Sequence, residues 1–157
     1  MRTSVIYVDT SVIGGCCDTE FQRWSRGLLS DFKAGAFTLL LSELIDAEIQ
    51  DAPNEVKDIY TEFRECTEVI CMVNLEAIDL ANAYLNHNIL SQNYRNDALH
   101  IAVATIAEAD LLVSWNFKHI VHFKKIQRFN AINLEMGYKN LLIYSPREVT
   151  LYGSEGS

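Results

Sequence analysis

The sequence predicts an α/β fold with a parallel central sheet and helices on both faces of that sheet. Strand-like and helix-like segments alternate along the chain, which is the element order of parallel strands joined by helical crossovers. The strand-like runs are continuously apolar, as in strands that are covered on both faces. The chain has 157 residues, the size of one ordinary domain with a full core. We expect residues 1–150 to form a single domain and residues 151–157 to form a flexible C-terminal tail.

Five short apolar runs are predicted to be the strands. The first, Val5-Ile6-Tyr7-Val8, is rich in residues that favour β-structure and stops at Asp9. The other four share this short, apolar character and occupy residues 37–41, 69–73, 111–114 and 141–144.

The helices are predicted from their periodicity and from the residues at their ends. Ser42 and Asn96 are suitable N-caps, and Pro53 suits a first helical turn. Gly35 is expected to end the first predicted helix. The predicted helices cover residues 20–33, 43–51, 53–64, 75–87, 97–107 and 119–136. The helix predicted over residues 97–107 is apolar on nearly every side, which is typical of a helix covered by its neighbours.

The charge distribution limits the ways in which the protein can bind nucleic acid. The net charge of −8 argues against a broad basic face. Residues 118–139 nevertheless hold five basic side chains and one acidic one, Glu135. This segment is either a solvated helix face or a local contact for a polyanionic substrate.

The termini and the cysteines indicate an intracellular protein. The N-terminal segment has a single basic residue, Arg2, and a short apolar run interrupted by an acid, which is unlike a signal peptide. No uncharged apolar run is long enough for a membrane span. The four cysteines do not follow a disulfide or zinc-site spacing, so we expect reduced thiols in a cytoplasmic protein.

Three acids stand where acids are unexpected. Asp9 follows the first strand, and the carboxyl ends of parallel strands form the ligand-binding edge of an open α/β sheet. Glu48 lies on the apolar stripe of its helix, three residues after Ile45. Asp97 is in the first turn of the apolar helix.

Each acid also has a structural explanation. Asp9 is a good helix cap, Glu48 could reach water or pair with an arginine, and the helix dipole favours Asp97. His100 lies one turn after Asp97, and we interpret it as a hydrogen-bonded packing residue. Taken together, however, three converging carboxylates without an internal Lys or Arg would repel one another. A divalent cation would relieve this repulsion, and oxygen ligands suit Mg²⁺ or Mn²⁺.

The motifs around these acids resemble those of the PIN-domain nucleases, particularly the VapC-type toxins of toxin–antitoxin pairs. The resemblance covers nearly the whole chain and depends on the order and spacing of four segments: Tyr7–Ser11, Ser42–Glu48, Asp97–Ala102 and Leu111–Asn116. It implies a three-layer α/β/α sandwich and Mg²⁺- or Mn²⁺-dependent cleavage of RNA. It also implies a small antitoxin partner and a homodimer.

The resemblance further implies roles for individual residues. Asp9 and Asp97 are expected to be the principal metal ligands, with Glu48 a ligand directly or through water, and Asn116 completes the catalytic set. Many family members carry aspartate at the position of Asn116, so this site has one charge fewer. The residues expected to contact the substrate are Thr10, Ser11, Ser114, Lys118 and His119.

Two other kinds of function are compatible with parts of the sequence. One is a PIN-fold module that binds RNA or protein with little or no cleavage, for which the acidic surface and Asn116 argue. The other is phosphoryl transfer on another α/β fold with Asp9 as the acceptor. A phosphatase motif would need an acid at Ser11, and the isolated pair Gly14-Gly15 does not form a nucleotide-binding loop.

Overall fold

The computed structural model describes residues 2–154, and its centre is a five-stranded sheet. All strand pairs are parallel, and the strand order is β3-β2-β1-β4-β5. The strands are β1 (Val5–Val8), β2 (Thr38–Ser42), β3 (Ile70–Cys71), β4 (Leu111–Val113) and β5 (Leu142–Tyr144). The predicted parallel sheet is therefore confirmed.

Eight helices are present within residues 2–154. They are α1 (Thr10–Gly15), α2 (Gln22–Lys33), α3 (Glu43–Glu48), α4 (Asn54–Arg64), α5 (Leu75–Asn86), α6 (Arg95–Ile106), α7 (Phe123–Glu135) and α8 (Pro146–Val149). Short 3-10 turns precede α6 at Gln92–Tyr94 and follow α8 at Tyr152–Ser154. Within residues 2–154, every helix is too short or too polar to cross a membrane.

The helices cover both faces of the sheet and form two cores. Successive residues of a strand point to opposite faces, so Ile6 and Val8 pack into the core beneath α1, α2 and α4. Tyr7 packs into the other core, beneath α5, α6 and α7. This arrangement is a three-layer α/β/α sandwich, as predicted.

The chain changes direction across the sheet at β1. The next strand along the chain, β2, pairs with one side of β1. Strand β4 pairs with the other side of β1, with Val8 opposite Val113. A crevice opens at such a switch point, outside the carboxyl ends of the two strands. Asp9 and Ser114 both lie at this crevice because each directly follows its strand.

Several boundaries differ from those predicted. Helix α3 ends at Glu48 rather than near residue 51, because the chain turns before Pro53, which disfavours a helical residue in front of it. Helix α6 begins at Arg95 after a 3-10 turn, so Asn96 lies inside its first turn and does not cap it. Helix α7 begins at Phe123 rather than at 119, because the His122 side chain accepts a bond from the amide of Lys125 and caps it there. Helices α1 and α8 were not predicted.

The segment after α8 is attached to α2. The buried carboxylate of Asp31 accepts bonds from the Thr150 hydroxyl at 2.7 Å and from the amides of Leu151 and Tyr152 at 2.9 and 2.8 Å. Gly153 packs against Gly27, where a Cβ would meet its backbone at 2.5 Å. Residues 155–157 lie outside the described part of the chain, and for them the flexible tail stays a prediction.

Candidate active site

Asp9 is buried at the carboxyl end of β1, and its carboxylate is held by two hydroxyl groups. Ser11 Oγ donates to Oδ1 at 2.6 Å, and Ser114 Oγ donates to Oδ2 at 2.6 Å. Asp9 occupies the N-cap position of α1, but its side chain makes no capping bond. Burial raises the pKa of Asp9, while the nearby His100 and the two serine hydroxyls act to lower it. The carboxylate therefore faces the crevice rather than serving as a helix cap.

The turn after β4 is fixed to the turn after β1 by the same serines. The amide of Trp115 donates to Ser11 Oγ at 2.9 Å, and the amide of Asn116 donates to Ser114 Oγ at 2.9 Å. Both hydroxyls are thus donors to Asp9 and acceptors from the β4 turn. Ser11 and Ser114, which were expected to contact substrate, position Asp9 in the structure.

Glu48 lies at the end of α3 with its side chain 30% exposed. His100 Nε2 is 2.6 Å from Glu48 Oε1, and Thr10 Oγ1 donates to the same oxygen at 3.0 Å. Burial acts to raise the pKa of Glu48, but the bonds from His100 and Thr10 outweigh it and lower that pKa. Glu48 thus reaches water, as the sequence allowed, and its charged partner is a histidine rather than an arginine.

His100 connects Glu48 to the sheet. Its ring is buried in α6, and its Nδ1 lies 2.7 Å from the hydroxyl of Tyr7 in β1. The Tyr7 hydroxyl also lies 2.7 Å from Ser42 Oγ at the end of β2. His100 was expected to be a hydrogen-bonded packing residue, and the Tyr7 hydroxyl was not among the expected site groups. The spacing of three residues between Asp97 and His100 was the available signal, since it puts both on one face of a helix.

Asp97 lies half-buried in the first turn of α6, beside Asp9 and Asn116. Burial raises its pKa and the Asp9 carboxylate raises it further, whereas His119, His100 and a side-chain bond from Asn116 act in the opposite direction. The expectation that Asp97 and Asn116 are neighbours is therefore met. Asn116 Oδ1 accepts a bond from the amide of His119 at 3.0 Å, so the NH₂ group is the end that bonds to Asp97.

His119 and Lys118 border the crevice next to Asp97. The His119 ring stacks on Tyr94 with centroids 3.8 Å apart and is 8% exposed. Within residues 2–154, its Nδ1 is buried and has no hydrogen-bond partner. Lys118 is exposed, with its ammonium group 6.0 Å from the centre of the Tyr94 ring. Lys118 is therefore open to solvent, whereas His119 and Ser114 are buried.

The acids fit a magnesium ion with few protein ligands better than a closed metal cage. Within residues 2–154, no three His, Cys, Asp or Glu side chains form a ready-made metal cluster. Glu48 is paired with His100, and Asp97 lies close enough to Asp9 for the Asp9 charge to raise its pKa. Mg²⁺ is commonly bound through one or two carboxylates and keeps several waters. Asp9 and Asp97 would hold such an ion, with Glu48 reaching it through water.

Comparisons with known proteins identify the fold. No protein-family model matches the chain, and no curated protein sequence matches it. Among solved structures, the chain is similar to one of VapBC2 from Rickettsia felis bound to a DNA fragment from their promoter. The two superpose with a TM-score of 0.59 at 17% identity, covering 90% of this chain and 98% of the other. The chain has a PIN-like fold.

The PIN-like fold explains why the three acids come from distant parts of the sequence. Asp9 follows the central strand, Glu48 ends the helix after β2, and Asp97 begins the helix that leads into β4. Each position is at the same edge of the sheet. The motifs recognised in the sequence therefore lie around one crevice of the PIN-like fold.

Proposed function

We propose that the protein is a divalent-metal-dependent ribonuclease. The observation that carries the proposal is the pair Asp9 and Asp97, two carboxylates at the same edge of the sheet, both with raised pKa values, the charge of Asp9 contributing to the raised pKa of Asp97. Neither forms a salt bridge with Lys or Arg within the described part of the chain. Mg²⁺ or Mn²⁺ would supply the missing positive charge.

The chain's own residues have separate tasks in this proposal. When bound, the metal lowers the pKa of a coordinated water and neutralises charge on the phosphate. Asp9 and Asp97 hold the metal, and the serine bonds fix the direction of Asp9. Glu48, whose pKa is lowered, is ionised at neutral pH and orients the attacking water as its proton acceptor.

Substrate contacts are proposed at the edge of the crevice. The exposed ammonium of Lys118 attracts a phosphate, and the buried His119 ring, which stacks on Tyr94, supports this edge of the crevice. Thr10 is already bonded to Glu48, so we propose that it steadies this carboxylate beside the substrate. The net charge of −8 favours such local contacts over a broad basic face.

We also propose that the protein is the toxin of a toxin–antitoxin pair in the cytoplasm, with a small antitoxin partner and a homodimeric assembly. The similarity to VapBC2 and the sequence motifs support this proposal. The promoter DNA in that structure belongs to the VapBC2 complex. For the present chain, the net charge of −8 gives no reason to expect a broad DNA-binding face.

The nuclease proposal is tested with single substitutions that keep side-chain shape. Asp9→Asn, Glu48→Gln and Asp97→Asn should each lower Mg²⁺- or Mn²⁺-dependent RNA cleavage by about 100-fold or more, the scale of removing one charge-stabilising group. Asp58→Asn, on the exposed side of α4, is the matched control and should cleave like the wild type. Circular dichroism checks that each variant is folded. Wild-type cleavage by Asp97→Asn would contradict the assignment.

A non-catalytic RNA- or protein-binding module is the second candidate. The observation in its favour is the use of Asn116 as a donor to Asp97, which lowers the negative charge available to a metal. This candidate predicts RNA binding without metal and no cleavage with Mn²⁺. Electrophoretic mobility shift and cleavage assays on the same RNA separate the two.

A further inference from the structure

A continuous line of hydrogen bonds runs from the central sheet to the candidate active site. It joins Ser42 Oγ to the Tyr7 hydroxyl at 2.7 Å, that hydroxyl to His100 Nδ1 at 2.7 Å, and His100 Nε2 to Glu48 Oε1 at 2.6 Å. Three of its four side chains are buried, and Glu48 alone reaches the crevice. The bonds connect β2, β1, α6 and α3, so side chains from four elements are joined in the line that ends at the Glu48 carboxylate.

The protons on this line can be assigned by counting donors. Tyr7 has one hydroxyl proton at neutral pH, because a phenol ionises only at about pH 10. If that proton goes to His100 Nδ1, the Ser42 hydroxyl donates to the Tyr7 oxygen and every buried donor is used. In the reverse arrangement, His100 Nδ1 carries a proton and donates to the Tyr7 oxygen, and the Tyr7 hydroxyl donates to Ser42 Oγ. The buried Ser42 proton then has no acceptor within the described residues. An unused buried donor is costly, so the first arrangement is favoured.

We infer that His100 is a positioning residue that holds the Glu48 carboxylate by donating a hydrogen bond from Nε2, with Tyr7 and Ser42 fixing the imidazole ring. This inference rests on the proposed ribonuclease function, in which Glu48 orients the attacking water. His100 itself contacts neither substrate nor metal. The buried ring acts through Glu48.

Glu48 needs such support because its own element gives it little. Helix α3 has six residues, and Glu48 is its last residue, where a side chain is poorly constrained. A glutamate loses considerable rotamer freedom when it is fixed in one direction. The fully buried ring of His100 is a rigid donor, whereas the Thr10 hydroxyl gives only one longer bond. Partners of this kind orient the groups around a metal and tune its binding.

The proton assignment is tested directly by NMR on the metal-free full chain with ¹⁵N-labelled histidine. Long-range ¹H–¹⁵N correlations should show the His100 proton on Nε2 and none on Nδ1. Tyr7→Phe removes the donor to Nδ1 and should change the Nδ1 chemical shift, while the Glu48 carboxylate keeps the proton on Nε2. A His100 ring with its proton on Nδ1 would overturn the inference whether or not the protein cuts RNA.

The positioning role is tested with His100→Leu and His100→Gln. The leucine variant should weaken Mn²⁺ binding or lower the kcat of RNA cleavage by about 10- to 100-fold, with little change in KM. Glutamine can donate to Glu48 and accept from Tyr7, so it should recover activity to within about fivefold of the wild type. His87→Gln, an exposed histidine on the loop after α5, is the control and should match the wild type.

The outcomes separate this inference from the proposed function. Equal Mn²⁺ affinity and cleavage in His100→Leu and the wild type would overturn the positioning role and leave the nuclease proposal standing. If the leucine variant fails to fold, Tyr7→Phe decides the question, because loss of the anchoring bond should lower kcat by about fivefold. A wild type that shows the Nε2 proton but neither binds Mn²⁺ nor cuts RNA would overturn both.

Discussion

At the scale of single residues, Asn116 shows how an uncharged side chain can organise two acids. Its oxygen accepts from the His119 amide, and its NH₂ group bonds to Asp97. An aspartate at this position could not donate a hydrogen bond to Asp97, because it has no donor when ionised. The amide therefore lets Asp97 lie beside Asp9 at neutral pH without a metal.

We expect Asn116→Asp to destabilise the metal-free protein and to tighten metal binding. The new carboxylate would face Asp97, whose pKa is already raised, and would cost on the order of 1–3 kcal/mol of folding stability at pH 7. The same charge adds to the attraction for Mn²⁺. Thermal unfolding with and without Mn²⁺, together with calorimetric titration, measures both effects.

The pH dependence of this variant provides an internal control. Carboxyl groups with raised folded-state pKa values destabilise the fold when ionised, so their cost is present at neutral pH and fades as the pH falls through those values. The stability difference between Asn116→Asp and the wild type should therefore shrink between neutral and acid pH. A difference that is constant with pH, or unchanged Mn²⁺ affinity, would place Asn116 outside the metal crevice.

The sequence showed the position of the three acids but not the partner of one of them. Asp9, Glu48 and Asp97 could be recognised because an acid next to an apolar strand or on an apolar stripe is unusual. The spacing of His100 from Asp97 puts both on one face of α6, but it does not show that Glu48 and Tyr7 lie against that face, because the helix is apolar on nearly every side. Only the pleat of β1 directs the Tyr7 hydroxyl towards α6.

At the scale of elements, helix α1 is the part of the site that was not predicted from the sequence. The segment Ser11–Gly15 contains two glycines, which disfavour a helix. One of them is required by packing, because a Cβ on Gly15 would lie 2.5 Å from Ser25 Oγ and 2.7 Å from Trp115 Nε1. These two atoms form a buried hydrogen bond of 2.8 Å that holds Trp115, next to Ser114, in place. Nothing in the local sequence indicates that contact.

The two glycines provide a matched pair of substitutions. Gly15→Ala should cost about 1–3 kcal/mol of unfolding free energy, because it overpacks the contact with Trp115 and Ser25. Gly14→Ala should stabilise the protein by up to about 1 kcal/mol, because a Cβ there has no heavy atom within 4 Å and alanine favours the helix. Urea denaturation monitored by tryptophan fluorescence measures both. Equal effects of the two substitutions would contradict the proposed role of the close approach at Gly15.

The helix and strand types were predictable, whereas several boundaries were not. Alternation of apolar runs with amphipathic segments is a property of the sequence alone. The start of α7 is instead set by the His122 side chain, which is an unusual cap. The start of α6 depends on the 3-10 turn before it, where Tyr94 stacks on a residue 25 positions away, His119.

At the scale of the whole molecule, the parallel sheet could be predicted but its strand order could not. Apolar strands joined by helices require parallel pairing. They do not tell which side of β1 receives β4, because this depends on how α5, α6 and α7 fill one face together. The expected site residues nevertheless lie together at the strand ends, since that edge is shared by every order of a parallel sheet.

Expression in a bacterial host should arrest growth if the whole protein is a toxin. The expectation follows from the PIN-like fold and the similarity to VapBC2 together with the proposed RNA cleavage. Asp97→Asn should abolish the arrest at equal protein level, as measured by growth curves and immunoblotting. Co-expression of a small partner encoded beside the gene should restore growth. Harmless expression of a protein that cuts RNA in vitro would contradict the toxin role alone.

The pairing of β1 with β4 also determines when the crevice can exist during synthesis. Asp9 is made near the start of the chain, but one of the two hydroxyls that hold its carboxylate belongs to Ser114. The two turns are joined by a direct bond between Ser11 and the amide of Trp115. A ribosome-bound chain that has not yet released β4 therefore lacks the crevice, whatever helices it has already formed. If the protein is the ribonuclease proposed above, it therefore cannot cleave RNA until most of its length has emerged.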